Sequence, residues 1–241
     1  MQNNSEAKWR LTFLDEFDRA EIDGNRWYYP YAPYYIGEDR FAYCCDNLSV
    51  EDGCLVIRAT RNPIEVNGKE LPYRAAALKT MHRFAQRYGR FEARISFDDK
   101  DGIIPAFWLM PRQVPQLEQN FLGIGGYGAE VDIMEHIYAW RDSTSHNVHW
   151  GGYGEEHINA GGLFPALQEP WGWHTYALEW DEEGYRFFVD GALTGEYTGG
   201  VASAPEYVLL SMAVGGWGGT PQDDELPACM RVDWIRVYEK V

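Results

Sequence analysis

Glu130-Val131-Asp132-Ile133-Met134-Glu135 places three carboxylates in six residues, inside a run otherwise made of Val, Ile and Met. Charged side chains rarely enter an apolar strand without a task, and three together repel one another. In an extended strand side chains alternate faces, so Glu130 and Asp132 share one face while Val131 and Ile133 share the other. Strict alternation would then carry Glu135 to the apolar face. One extra residue, a β-bulge at Ile133 or Met134, returns it to the side of the other two, and bulges are over-represented beside active sites. The spacing predicts a bulge there. Two glutamates on one face suit retaining glycoside hydrolysis, whose two carboxyl groups stand about 5–5.5 Å apart. Four strand steps span roughly 13 Å between Cα atoms in a flat strand, so the sheet must be concave for these side chains to converge. Asp132, between them, can hydrogen-bond a nucleophile and raise the proton affinity of Glu135, as a general acid requires. The bland alternative is a solvated strand face of an acidic protein.

Outward from this stretch, short β-type runs recur between turn signals. They are Leu48–Val50 and Cys54–Thr60 around Glu51-Asp52-Gly53, then Ala76–Thr80, Gly89–Phe97, Ala106–Met110, Glu130–Tyr138, Asn147–Trp150, Trp173–Trp180, Gly184–Val189, Tyr207–Ala213 and Arg231–Glu239. Many strands at such spacing with Gly and Pro turns indicate a sandwich. Alternation is clear in Val232–Tyr238, with Val232, Trp234 or Ile235, and Val237 set against Asp233 and Arg236. A single helical turn is expected near Glu118–Phe121. No linker, repeat or low-complexity segment interrupts the chain, and one domain over residues 1–241 is expected.

Net charge is −16, from 37 acidic and 21 basic residues. This argues against nucleic-acid or anionic-membrane binding, where a basic footprint is needed. It also disfavours densely sulfated substrates, unless a local basic pocket overrides it. There is no apolar run long enough for a membrane span. The start, Met1-Gln2-Asn3-Asn4-Ser5-Glu6, lacks signal-peptide regions; a trimmed secreted enzyme and a cytoplasmic one would both look like this. Ten Trp and sixteen Tyr exceed what a core this size needs. More than half should be core, and the excess suits sugar stacking, since pyranose rings present apolar faces. Cys44, Cys45, Cys54 and Cys229 fit no zinc spacing. A disulfide from Cys44 or Cys45 to Cys54 and free thiols are both open.

The segment EVDIME resembles the catalytic signature of glycoside hydrolase family 16 in its longer, bulge-bearing, laminarinase-like form. FLDEFD at 13–18, YGRFEARI at 88–95, PAFWLMP at 105–111, HTYALEW at 174–180, FFVDG at 187–191, LLSMAVGGW at 209–217 and MRVDWIRVY at 230–238 resemble family segments in the expected order. The resemblance spans the chain. It implies an all-β, concanavalin A-like β-jelly-roll sandwich of two antiparallel sheets with a concave substrate cleft. It also implies Glu130 as nucleophile, Asp132 as the assisting carboxylate and Glu135 as acid/base.

By the same resemblance Trp108 is a platform for the sugar beside the scissile bond, against the alternative of a core Trp. His149, sharing a face with Asn147 by alternation, lies near the acid/base; His146 faces the other way and is structural. Asn47 matches a donor-side sugar contact but is equally a turn residue. Trp217, in a glycine-rich loop, forms the cleft rim. A structural Ca²⁺ on the convex face, held by backbone carbonyls at Glu16 and Gly53 and by Asp233, is implied, against a salt bridge from Asp233 to an Arg. The loops Gln116–Tyr127, Trp150–His157 and Tyr28–Tyr35 depart most from the family and suit a decorated or non-glucan chain.

The expected activity is an endo-acting retaining β-glycosidase of a polysaccharide or oligosaccharide. A β-1,3-containing glucan, laminarin or mixed-linkage, leads. The alternative is an endo-β-galactosidase type acting on agar, porphyran, carrageenan or mucin O-glycans. A glycan-binding module and a transglycosylase are further alternatives. The protein is expected to be a monomer, secreted, periplasmic or at the cell surface, with no catalytic cofactor.

Overall fold

Alternating burial along the strands, as in Gly89–Phe97, builds two antiparallel sheets that share one core. This computed structural model describes residues 9–34, 40–111, 128–164, 167 and 169–241. Numbered in chain order, one sheet runs β16 (Ala192–Tyr197), β15 (Gly184–Val189), β14 (His174–Asp181), β9 (Gly89–Phe97), β18 (Ala228–Lys240), β4 (Cys54–Ala59) and β3 (Leu48–Glu51), with β1 (Trp9–Asp15) also on β18. The other runs β13 (Ile158–Phe164), β12 (Thr144–Trp150), β11 (Glu130–Glu135), β10 (Ile103–Pro111), β17 (Glu206–Val214) and β8 (Ala77–Lys79). Two small ribbons complete it: β2 (Phe41–Tyr43) with β7 (Tyr73–Ala75), and β5 (Ile64–Val66) with β6 (Lys69–Leu71).

The core lies between the sheets, with Phe91, Tyr176, Trp180, Tyr185 and Phe187 meeting Phe107, Val131, Ile133 and Leu210. Fully burying one such large apolar side chain contributes about 1.5–3 kcal/mol. The indole N–H groups of two core tryptophans are satisfied: Trp27 Nε1 donates to Asp15 Oδ2 at 2.7 Å, and Trp180 Nε1 to the Ala202 carbonyl at 3.2 Å. In β18 the register against β9 slips between Val232 and Trp234, making Asp233 the extra residue. That slip resolves the choice left open by the pattern: Ile235 and Val237 are fully buried and Trp234 is not.

The run expected to be extended over Glu130–Tyr138 ends as a strand at Glu135, and Tyr138–Trp140 forms a 3-10 turn. All four cysteines are free thiols. The loop Gln116–Tyr127, its helical turn at Glu118–Phe121, and Tyr35 lie outside the described residues. Among the described residues no helix is long and apolar enough to cross a membrane.

Candidate active site

Strand β11 carries the predicted bulge. Against β10, Phe107 pairs with Met134 but Trp108 pairs with Asp132, so Ile133 is the extra residue. Ile133 and Met134 therefore both enter the core, fully buried, and Glu135 returns to the face of Glu130 and Asp132. A bulged carbonyl loses its ladder partner, and here His146 supplies another: Nδ1 lies 2.7 Å from the Ile133 oxygen. A carbonyl only accepts, so Nδ1 carries the proton. Burial pushes this imidazole down to about 4, which keeps it neutral, stacked between Phe164 and Phe187 at 4.4 and 4.5 Å. His146 is structural, as its alternation implied.

Two further fasteners hold β11. The buried Glu206 accepts the Ala129 N–H at 2.9 Å just before β11. Just after it, His136 bridges the Ser143 carbonyl at 2.8 Å and Asp99 at 2.9 Å. The three carboxylates are thus set by contacts to remote strands and loops, as preorganisation requires.

Across the sheet one row of cross-strand partners runs Lys79, Leu209, Trp108, Asp132, Asn147, Gly161. Partners opposite one another share a face, so this row lies along the cleft. Trp108 is half-buried, with Nε1 donating to Ser211 Oγ at 3.0 Å, which leaves a ring on the cleft floor beside the carboxylates. Asn147 donates Nδ2 to Glu135 Oε2 at 3.3 Å. On edge strand β13, Gly161 makes room for it, since a Cβ there would stand 2.1 Å from Asn147 Oδ1. His149 pairs with Glu130 across the ladder and sets Nε2 3.3 Å from Asp132 Oδ2. It also lies 2.9 Å through Nδ1 from His157 Nε2. So His149 sits nearer Glu130 and Asp132 than expected, and Asn147 takes the place beside Glu135. Trp217 is 55% exposed and packs at 5.7 Å on Trp140, forming an aromatic rim.

Asn47 has a different task from a sugar contact. It is buried and its amide donates to the Arg58 carbonyl, Thr60 Oγ1 and the Arg74 carbonyl at 3.0, 3.1 and 3.3 Å, strapping the first hairpin to its neighbours. The positions expected to hold Ca²⁺ are Glu16, Gly53 and Asp233. Flanking strands β1 and β4 bring them to one stretch of β18. Asp233, however, accepts from Arg94 at 2.7 Å, and Glu16 accepts from Arg236 at 3.1 and 2.8 Å. Asp233 thus makes the salt bridge weighed against calcium, and the Glu16 pair uses its side chain, not its backbone carbonyl. Among the described residues the grouping that could hold a metal is Glu130, Asp132 and His149, with one donor atom each mutually within 4.8 Å. Two of these are carboxylates that hydrolysis itself would use.

Burial pushes all three carboxyls up, and repulsion from neighbouring carboxylates adds to it on Glu130 and Asp132. On Glu130 the opposing influence is the positive field of His149. On Glu135 it is the Asn147 amide first and His149 second. Asp132 Oδ2 is buried without a hydrogen bond, which further disfavours its charged form. The resting cleft therefore carries less than its formal charge.

This has a measurable cost. Glu130 is raised from 4.5 to about 9, so between those values the folded protein holds a proton that the unfolded chain has released. More protons bound in the native state means that stability falls as pH rises through this window. Glu130→Gln removes the term. The variant should gain little near pH 5 and on the order of 3 kcal/mol at pH 7, at about 1.36 kcal/mol per pH unit. Thermal melts at pH 5, 7 and 8.5 should show the gap from wild type widening with pH; a constant or shrinking gap would refute it.

The Glycosyl hydrolases family 16 model matches residues 40–236 of this chain. A β-glucanase of Rhodothermus marinus is 31% identical over 97% of this chain and 86% of its own length. Glucan endo-1,3-beta-glucosidase A1 of Niallia circulans is 27% identical over 97% of this chain, which spans 38% of that protein's length. The solved catalytic domain of an endo-1,3-beta-glucanase (laminarinase) from Thermotoga petrophila RKU-1 superposes with a TM-score of 0.82 at 28% identity, covering 97% of this chain and 99% of that one. The sandwich is the expected β-jelly roll.

Proposed function

From a chain that belongs to glycosyl hydrolases family 16, we infer an endo-acting retaining β-glycosidase whose substrate is a β-1,3-containing glucan. The observation that carries the chemistry is the bulge at Ile133, which returns Glu135 to the face of Glu130 and Asp132 beside the Trp108 ring. In the first step a Glu130 oxygen attacks the anomeric carbon while Glu135 gives its proton to the departing glycosidic oxygen. The C–O bond to the leaving sugar breaks and an ester to Glu130 forms. Glu135, now ionised, takes a proton from water as that water attacks the same carbon, and the ester breaks with Glu130 regaining its charge. Asp132, buried between the two, is placed to hydrogen-bond the nucleophile as Glu130 ionises. His149 steadies the ionised Glu130.

The β-1,3-glucan assignment is supported by the glucanase names of the relatives and by a cleft row that crosses the strands, suiting a polymer bound along its length. A polymer is met outside the cytoplasm, where we place the enzyme, acting as a monomer through one catalytic domain. The test is product analysis on laminarin, mixed-linkage glucan, agarose, porphyran and mucin O-glycans with Glu130→Ala as control. Oligosaccharides from laminarin or mixed-linkage glucan are expected. Release from a galactan or O-glycan alone would move the substrate to the endo-β-galactosidase type, and binding without cleavage would indicate a glycan-binding module.

A further inference from the structure

Among the described residues, the cleft beyond Trp108 holds a cation without a paired anion. Lys79 ends the cross-strand row on edge strand β8, three strands from Asp132, about 14 Å at 4.7–4.9 Å per strand. Its side chain borders a recess of about 320 Å³ lined by Tyr34, Tyr43, Trp108, Met110, Tyr207 and Leu209. The ammonium stands 5.0 Å over the Tyr34 ring. Among the described residues it has no carboxylate within ion-pair distance and no hydrogen-bond acceptor. Burial alone pulls its pKa down, with no charged neighbour contributing. The Tyr34 hydroxyl, on the same recess, is also buried without a hydrogen-bond partner.

A half-buried ammonium and a buried hydroxyl, both without a hydrogen-bond partner in one apolar recess, are costly. The Tyr34 ring offsets part of the ammonium's desolvation, but a ring cannot accept its N–H bonds in full. A neutral sugar hydroxyl would accept one of them and leave the charge unbalanced. A charged acceptor would balance it and could take the tyrosine O–H as well, the stronger kind of hydrogen bond. With a net charge of −16, the protein repels a dense polyanion, so the negative groups must be sparse.

We propose that Lys79 and Tyr34 form a specificity pocket for an anionic substituent, a sulfate ester or a carboxylate, on a sugar beyond the one stacked on Trp108. The proposal rests on the glycosidase reading and narrows its substrate to a mostly neutral β-glycan carrying occasional negative groups. Neutral glucan would leave the pocket unpaired.

The test is calorimetric titration of the Glu130→Gln protein, where cleavage cannot intervene, with laminari- and agar-type oligosaccharides in neutral, mono-O-sulfated and uronate-bearing forms. At least one anionic probe should bind roughly 10-fold or more tighter than its neutral parent, and the sulfated and uronate arms identify which. Adding Lys79→Met should abolish that preference, Lys79→Arg should keep part of it, and Tyr34→Phe should weaken it. No anionic preference, or one that persists in Lys79→Met, would overturn the pocket. Wild-type cleavage of neutral probes without any anionic preference would remove the pocket and leave the glycosidase. Anionic preference with no cleavage of any probe by wild type would do the reverse.

Discussion

Glu130→Gln should lower hydrolysis of the preferred glycan by on the order of 10³-fold or more while the protein keeps its fold and its affinity for glycan. The amide has the shape of the carboxylate but cannot form the ester through which retention proceeds. Its neighbours have no reason to move, because β11 is fixed by Glu206 before the glutamate, His146 at the bulge and His136 after it. The smaller Glu130→Ala adds a sharper readout. It opens space on the face from which the nucleophile attacks, so a small anion such as azide can take its place. Azide should restore turnover of a substrate with an activated leaving group, and the product should have the opposite anomeric configuration. No other residue of the site predicts that inversion. Asp132→Asn should instead slow the reaction without azide rescue, because its carboxylate is buried behind the two glutamates. Rescue of Asp132→Asn with inversion would mean that the nucleophile has been misassigned.

What could be read before the fold was known follows the physics of alternation. In EVDIME the core-facing and cleft-facing sets are distinct residue types, so the need for one extra residue was visible and the structure places it at Ile133. Edge strands β13, INAGGLF, and β16, ALTGEY, were missed because neither alternates; each is held by the ladder of a single neighbour. Gly161 looks like a strand breaker until Asn147 is known to lie against it. The fasteners were equally invisible. Glu206 meets Ala129 across 77 residues and His136 meets Asp99 across 37, and no local pattern encodes such pairings.

Asn147 lies between these cases. Alternation put it on the face of His149, but only the ladder pairing Asp132 with Asn147 and Glu135 with Ser145 shows which glutamate it serves. Trp140 and His157 come from turns, whose course depends on what they pack against. Asn47, Glu16 and Asp233 show what a matching position leaves open. They occupy matching family positions, yet their partners here are the Arg58 and Arg74 carbonyls, Arg236 and Arg94. A position carries a role only as far as its neighbours are carried with it.

Glu135→Gln should split two kinds of substrate that Glu130→Gln treats alike. A natural glycan leaves as a poor alkoxide and needs a proton in the transition state, so loss of the acid should slow its cleavage by roughly 10²–10⁴-fold. An aryl glycoside with an acidic phenol departs without one, so its first step should be nearly unaffected. The second step still needs a base to activate water, and glutamine cannot act as one. The aryl substrate should therefore give a rapid burst of about one phenol per enzyme, followed by slow turnover, with the glycosyl ester on Glu130 detectable by intact-protein mass. Asn147 still finds an amide oxygen to donate to, so the geometry beside residue 135 survives. The alkaline fall in rate that reports loss of the acid's proton should also disappear from the first step. Two other outcomes would reassign the roles. Equal slowing of both substrates, with no burst, would mean that Glu135 acts by holding the site together. An unchanged alkaline limb in the first step would move the proton to Asp132, whose buried oxygen, 3.3 Å from His149 Nε2, is the remaining acid on this face.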